Sequence, residues 1–327
     1  MKRLVYLGLL LAGLLSGVSL LVSLYRSWRL YLLAPKTEST LVYHFSLYIP
    51  DNRNSFFLGI IRGVEQAAEE LDSAVSIHSI DPAKNELEIA AFTGVDGVIV
   101  CPYLDDAVAR HQLEKLRDYQ IPAVLINHNL PSEQPWSFIG INNFDMGRRI
   151  GLILQEDSAE KITLGVVYSD KAPGIYAERE LVEMGISASL GGQLSGPIIS
   201  YRTNLNPLDA EALLVKIFRS PGIRSGNSAM ADGQAVNTIV FTDPEDTIAA
   251  SQTLVDLNLV GQIRIIGFGA DPGVMESLEK EIVSASVVID SERIGYEAVH
   301  SLAALRITGY TSASIDTGIE IIRGSKQ

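Results

Sequence analysis

The chain has 327 residues, enough for two globular lobes with separate cores, since one domain usually takes about 100 to 200. Its 26 basic and 39 acidic residues give a net charge of −13 with no Lys/Arg run, so a phosphate backbone is repelled and nucleic acid is not an expected partner. A single cysteine, Cys101, excludes an intramolecular disulfide framework and any multi-cysteine metal site.

After Met1, Lys2 and Arg3, the stretch from Leu4 to Tyr25 carries no charge and matches the roughly 20 helical residues needed to cross a hydrocarbon core. A cleaved signal usually has an apolar region of only about 7 to 15 residues, so length favours a retained anchor, with cleavage after Ser19 as the alternative. Trp28 and Tyr31 fit an interfacial belt, and residues 34–40 read as a polar tether. The expectation is a single-pass membrane protein, anchored through residues 1–33, whose remaining chain lies outside the membrane. Arg26, Arg29 and Lys36 balance Lys2 and Arg3, so the charge asymmetry that sets orientation is weak.

Beyond Thr40, apolar runs of strand length alternate with amphipathic segments. The strand candidates are "LVYHFSLYI", "VSIHSI", "VDGVIVC", "PAVLIN", "SFIGI", "ITLGVVY", "GPIISY", "NTIVFT", "IRIIGFG", "IVSASVVI" and "SIDTGIEII". Phe57, Ile60, Ile61, Val64, Ala68 and Leu71 recur at helical spacing, with Glu65, Glu69 and Glu70 opposite. Further helical segments are expected over Asp105 to Tyr119, Asp145 to Glu156, Tyr176 to Met184, Leu208 to Arg219, Glu245 to Asn258 and Glu292 to Arg306. Continuously apolar strands alternating with such helices indicate parallel sheets covered on both faces. So many strands exceed one comfortable sheet, and the fold class read from them is α/β with two doubly wound lobes. The polar stretch from Ser220 to Asn237 reads as a long loop.

In open parallel sheets, ligands collect at the carboxyl ends of the strands, where loops and helix N-termini converge. "NSFF", between the first strand after the tether and its helix, is such a place. Asn54 can cap the helix and orient a polar ligand. Phe57 fits the buried stripe, which leaves Phe56 as the ring for the crevice; the plainer alternative is that both rings are core.

"SLYIPDNRNSFFLGIIRGVEQAAEEL", "VDGVIVCP", "IPAVLINHN", "FIGINNFDMGRRIG", "VFTDPEDTIAA" and "IRIIGFGADPG" are similar, in order, to successive segments of the type I periplasmic binding proteins, the ribose- and galactose-binding group whose ligand core is shared with lac-repressor-type regulators. The resemblance runs from about Leu41 to the C-terminus. It implies two hinged lobes, residues 41–141 with 290–316 and residues 142–289 with 317–327, closing on a sugar-like small molecule. By position it assigns Asn54, Phe56 and Phe57 to the family's asparagine and stacking aromatics. It also puts Asn127 and His128 where sugar binders often carry an Asp-Arg pair, and Asp243 at a second-lobe ligand position. Gly269 stands where many members have an aspartate, and Asp271 is the candidate to replace it. Glu178 or Arg179 lies near a family arginine. An Asn-His pair in place of Asp-Arg loses charge-assisted hydrogen bonds to vicinal hydroxyls, so the ligand is expected to be less polar, differently substituted or more weakly held.

Competing chemistries find little support in the residues. "GFGADPG" has its third glycine one residue too late for a dinucleotide fingerprint, and no Walker loop, G-x-S-x-G elbow or H-E-x-x-H pair occurs, so no cofactor is expected. The histidines are scattered, and only His128 sits at a strand end. Cys101 has no activating partner in sequence and reads as an inert thiol. Asp243 and Glu245 could form an acid-base pair, but a ligand contact beside a first-turn helix acid is simpler. A repressor would need a DNA-reading helix-turn-helix where the apolar segment stands. The expectation is therefore a non-enzymatic binding protein serving a membrane transporter or a sensor kinase.

Overall fold

The computed structural model describes residues 16–26, 42–50, 54–80, 86–102, 106–157, 161–204, 207–218 and 236–324. Most of the expected anchor, the tether and nearly all of the 220–237 loop lie outside the described residues. Residues 16–26 form a helix, α1, and among the described residues no helix is long and apolar enough to cross a membrane.

From residue 42 onward the alternation is regular. In the first half the order is β1 (His44–Pro50), α2 (Ser55–Glu70), β2 (Ala74–Ile80), α3 (Glu86–Ala90), β3 (Gly97–Val100), α4 (Asp106–Asp118), β4 (Ala123–Ile126), β5 (Ser137–Gly140) and α5 (Asn143–Asp157). Then follow β6 (Leu164–Ser169), α6 (Pro173–Ala177), α7 (Arg179–Leu190), β7 (Ile199–Thr203), α8 (Pro207–Phe218), β8 (Thr238–Phe241) and α9 (Pro244–Asp256). The chain closes with β9 (Arg264–Phe268), α10 (Pro272–Glu279), β10 (Ala285–Ile289), α11 (Ser291–Thr308), β11 (Ser314–Asp316) and β12 (Ile319–Arg323).

Two six-stranded sheets result, ordered β11-β5-β4-β3-β1-β2 and β12-β10-β9-β8-β6-β7. Every pairing is parallel except β10 with β12. The chain passes between the sheets after β5, after β10 and after β11. The strands are apolar along their length because both faces are covered. Phe45, Leu47 and Ile49 of β1 enter one core with α2 and α11, while Tyr48 enters another on the opposite face. In the second sheet, Val166 and Tyr168 of β6 face one core and Val167 the other.

The elements differ in three local places from the apolar and amphipathic patterns, the first of them at the 316/317 boundary that the resemblance implied. "SIDTGIEII" is two strands, β11 and β12, separated at Gly318, whose φ of +72° turns the chain from one sheet to the other. The segment expected as one helix from Tyr176 to Met184 is two, α6 and α7, broken at Glu178, and Pro173 starts the first of them. Helices α3 and α10 are short and have no counterpart in the periodicity, which needs a longer window to register.

Each sheet is faced by a pair of helices in intimate contact. In the first, a Cβ on Gly63 of α2 would collide with the backbone of Glu292 in α11, and one on Gly295 with the backbone of Ile60. In the second, Gly147 of α5 and Gly185 of α7 are pressed likewise against the backbones of Val182 and Phe144. Bare backbone at these crossings lets the helices approach to backbone contact.

Candidate functional site

The carboxyl ends of β1, β4, β6, β8, β9 and β10 meet in a crevice between the sheets. From the first sheet's side, Asn54 caps α2 through its side chain, Oδ1 accepting from the Phe57 amide at 3.0 Å, and it lines the deep part of the crevice. The cap sets the register of the two rings that follow. Phe57 is turned into the core at 1 % exposure. Phe56, half-buried, meets it edge to face with centroids 5.2 Å apart and lines the crevice.

Asn127 follows β4 with φ +62°, a left-handed conformation that asparagine tolerates better than most residues. It is buried, lines the deep crevice, and its Nδ2 lies 3.9 Å from Cys101 Sγ. A Cβ on Gly174 of α6 would collide with the Asn127 carbonyl, so the second lobe comes to backbone contact with the first here. His128 is buried too, but it lines neither cavity of the crevice. Its Nε2 lies 3.0 Å from Asp106 Oδ1 at the start of α4, and its Nδ1 has no partner. Burial pushes the Cys101 thiol up to about 12, which keeps it protonated.

The second sheet's side is ionic. Lys171, just past β6 and 5 % exposed, directs Nζ at Glu245 Oε2 (2.8 Å), Asp246 Oδ1 (3.2 Å) and Asp243 Oδ1 (3.4 Å). Asp243 also caps α9, accepting from the Asp246 amide at 3.1 Å, and Asp246 accepts a hydrogen bond from Thr203 Oγ1. Burial works to lower the Lys171 pKa, but Asp243, Glu245 and Asp246 outweigh it, so the ammonium is pushed up and stays charged. Asp243 moves up as well, to about 6, because burial and the neighbouring Asp246 charge outweigh Lys171. One ammonium does not compensate the buried carboxylates fully, and Asp243 takes up a proton at mildly acid pH.

Glu178 and Arg179, the candidates for the family's arginine position, are drawn elsewhere. Glu178 accepts from Asn143 Nδ2 at 2.8 Å, and the Arg179 guanidinium lies over the Tyr176 ring at 5.0 Å. Gly269 has φ +84°, and a Cβ there would sit 2.7 Å from Pro244 Cγ and 2.9 Å from Asp271 Oδ2. The backbone itself thus refuses an aspartate at that position. Asp271, at the start of α10, lines the crevice mouth and accepts a 3.1 Å hydrogen bond across the lobes from Ser55 Oγ.

The space is unevenly divided. The deep part, among Asn54, Asn127, Lys171 and Asp243, encloses about 10 Å3, about the room of one water. The mouth, between Phe56, Phe268, Asp271 and the end of β10, encloses about 300 Å3, the lower end of small-molecule pockets. Lys171 and Phe268 are the residues that reading the sequence missed. The signal for Lys171 was a lone cation at a strand end, "VVYSDKAPG", facing the acid-rich "TDPED" at the end of the neighbouring strand β8. Among the described residues no group of His, Cys, Asp or Glu is placed to hold a metal ion.

Residues 45–309 match the model of the family described as periplasmic binding protein domain. Similar solved structures include GanP, a glucose-galactose binding protein from Geobacillus stearothermophilus, with TM-score 0.72, 21 % identity and coverage of 86 % of this chain and 97 % of that one. A Caulobacter myo-inositol binding protein bound to myo-inositol matches with TM-score 0.73 and 17 % identity, over 89 % of this chain and 95 % of that one. A carbohydrate transporter solute binding protein from Agrobacterium radiobacter, in complex with D-arabinose, matches with TM-score 0.70 and 14 % identity over 86 % and 94 %. No curated protein matches the sequence.

Proposed function

We propose, from the premise that this chain belongs to the periplasmic binding protein family, that it is a receptor capturing a small polar molecule of monosaccharide size between its two lobes. The observation that carries the reading is a crevice at the carboxyl ends of two parallel sheets, lined from one side by Asn54, Phe56 and Asn127 and from the other by Asp243, Phe268 and Asp271. Sugars and polyols are the first candidates, because the similar structures named above bind glucose or galactose, myo-inositol and D-arabinose. The lobes we assign are residues 41–141 with 290–316 and residues 142–289 with 317–327, an assignment supported by the strand membership of the two sheets. Ligand binding would shift the balance between open and closed arrangements of the lobes.

The apolar stretch from Leu4 to Tyr25 supports a further part of the proposal, that the receptor is held at the outer face of a cell membrane. There it would hand its ligand to a membrane transporter or report it to a sensor kinase. A melting-curve screen of the full chain in detergent, against monosaccharides, polyols, nucleosides and small amines, tests the central claim. A ligand present at 100 times its dissociation constant adds about 2.7 kcal/mol of stability. A panel that leaves the melting temperature unmoved throughout would sink the receptor reading. Recovery of a soluble protein beginning near Leu20 would overturn the anchor.

A further inference from the structure

We propose that the end of the first lobe where its strands begin is a membrane-contact face, whose exposed apolar side chains rest in the lipid interface. The proposal rests on the anchored-receptor reading above and adds how the domain stands on the bilayer.

The strands of the first sheet run parallel, so all of them begin at one end of the lobe, opposite the crevice. The segments leading into those starts are unusually apolar. Val42 stands before β1, Ile89 and Phe92 before β3, Tyr119 before β4, and Ile307 and Tyr310 before β11. Phe92 and Tyr310 are 74 % and 75 % exposed, and Phe92 meets Tyr119 edge to face with ring centroids 5.4 Å apart. Polar contacts tie the same segments together. Arg306 of α11 pairs with Asp96 ahead of β3 at 3.0 Å, and Asp96 also accepts from the His44 amide at the start of β1. Among the described residues from 42 onward, eight large apolar side chains are more than half exposed, and six of them stand at this end; Met184 and Val255 in the second lobe are the others. Scattered singly, such residues need no explanation, but gathered at one end of a domain they mark an interaction surface.

The course of the chain says which partner lies nearest. The chain enters the lobe at Val42, at this same end, and residues 34–40 reach at most about 25 Å even fully extended. A membrane holding residues 1–33 is therefore within that reach of the apolar end, while the crevice stands about 23 Å further along, the length of β1. A short covalent link makes the contact intramolecular, so one too weak to recruit a free protein is still populated. Charge is not what holds it. The described basic side chains at this end are engaged, Lys115 with Glu88 at 2.7 Å, Arg117 with the Gln134 carbonyl at 2.7 Å and Arg306 with Asp96, and Asp72 and Asp118 are exposed beside them. Tyrosine, phenylalanine and aliphatic side chains enter the interface through their apolar area and need no anionic headgroup.

The test places the full chain in phosphatidylcholine nanodiscs. Thr93→Cys, Ser312→Cys and Met184→Cys each carry an environment-sensitive fluorophore, and the native Cys101 is fully buried and does not compete for it. Thr93 and Ser312 are exposed at the proposed face, and Met184 is the second-lobe control. Relative to the Met184 site, the Thr93 and Ser312 sites are expected to be quenched several-fold more by nitroxide-labelled phosphatidylcholine and several-fold less by aqueous iodide. Adding Phe92→Asp and Tyr310→Asp together should erase both differences while the chain stays in the disc and its melting temperature barely moves, since both rings are exposed. Thr93 and Ser312 sites as open to iodide as the Met184 site, in a chain retained by the disc, overturn the inference and leave the anchor standing. Shielding from iodide without quenching by the nitroxide lipid would mean that a second copy covers the face, and it overturns the inference too, as does unchanged quenching in the double variant. A chain that does not stay with the disc overturns the anchor and the inference together.

Discussion

The two lobes solve the same packing problem in the same way and then diverge where they face each other. Both bring a pair of helices into backbone contact across glycines, α2 with α11 and α5 with α7, over a six-stranded sheet. At the crevice the first lobe presents a capping asparagine, a half-buried ring and a second asparagine, all uncharged. The second presents a buried ammonium among three carboxylates. A repeated scaffold constrains where strand ends stand, while the residues that follow each strand are free to differ. Among the described residues, the charged side chains lining the crevice thus come from the second lobe, while the first contributes the Phe56 ring.

The largest effects should come from one substitution in each lobe, distinguishable by pH. Phe57→Ala leaves a cavity in the first lobe's core and should cost about 3 to 5 kcal/mol at any pH between 5 and 8. Lys171→Met strands Asp243 and Asp246 and should cost a similar amount, about 3 to 5 kcal/mol, at pH 7.5. Its deficit should shrink near pH 5, because Asp243, already held above its ordinary value, takes up a proton. Denaturant unfolding at the two pH values separates the cases. Equal pH dependence in both variants would show that the ionic cluster contributes nothing particular to the second lobe.

A smaller effect is expected from Asp243 itself. The fold holds this carboxyl at about 6, above its ordinary value of 3.8, so the folded protein binds the proton more tightly than the unfolded chain. The associated stability is fully present below the ordinary carboxylate pKa and is lost as pH rises through about 6. Asp243→Asn can keep the helix cap while removing the titration. Relative to this variant, the unaltered protein should gain on the order of 2 kcal/mol between pH 7.5 and pH 4, read from melting curves. Parallel curves would mean that Lys171 satisfies both buried carboxylates.

The smallest change in stability belongs to Phe56→Ala. Its ring is half-buried and packs on Phe57, so the melting temperature should fall far less than for Phe57→Ala. Affinity for any ligand identified by the screen should drop several-fold, corresponding to a ring contact of about 0.5 to 1.5 kcal/mol and the area it covers. A variant that melts as early as Phe57→Ala and binds normally would make both rings core and move the site elsewhere.

Much of this was legible in the residues taken alone. The continuous apolar runs and the period-3.6 stripes locate ten of the strand runs and most of the long helices, because burial on both faces makes strands apolar throughout and burial on one face makes helices striped. The assignment of Phe57 to the stripe and Phe56 to the crevice also needs only local spacing, since the Asn54 cap determines the angle at which each ring leaves the helix. What local spacing could not supply is any relation between distant segments. Lys171 finds its carboxylates more than seventy residues away in sequence because β6 and β8 are neighbours in the sheet, and His128 turns to Asp106 through the position of α4. In its own pattern the apolar run "SIDTGIEII" carries no mark of its division between two sheets except a glycine; the 316/317 boundary came only with the family resemblance. Whether a strand continues or crosses depends on which edge is free to receive it, and that is decided only when both sheets are present. The partition of the crevice into a filled interior and an open mouth has the same origin. It follows from how closely α6 approaches Asn127, a distance governed by the packing of two whole lobes and encoded in no single motif.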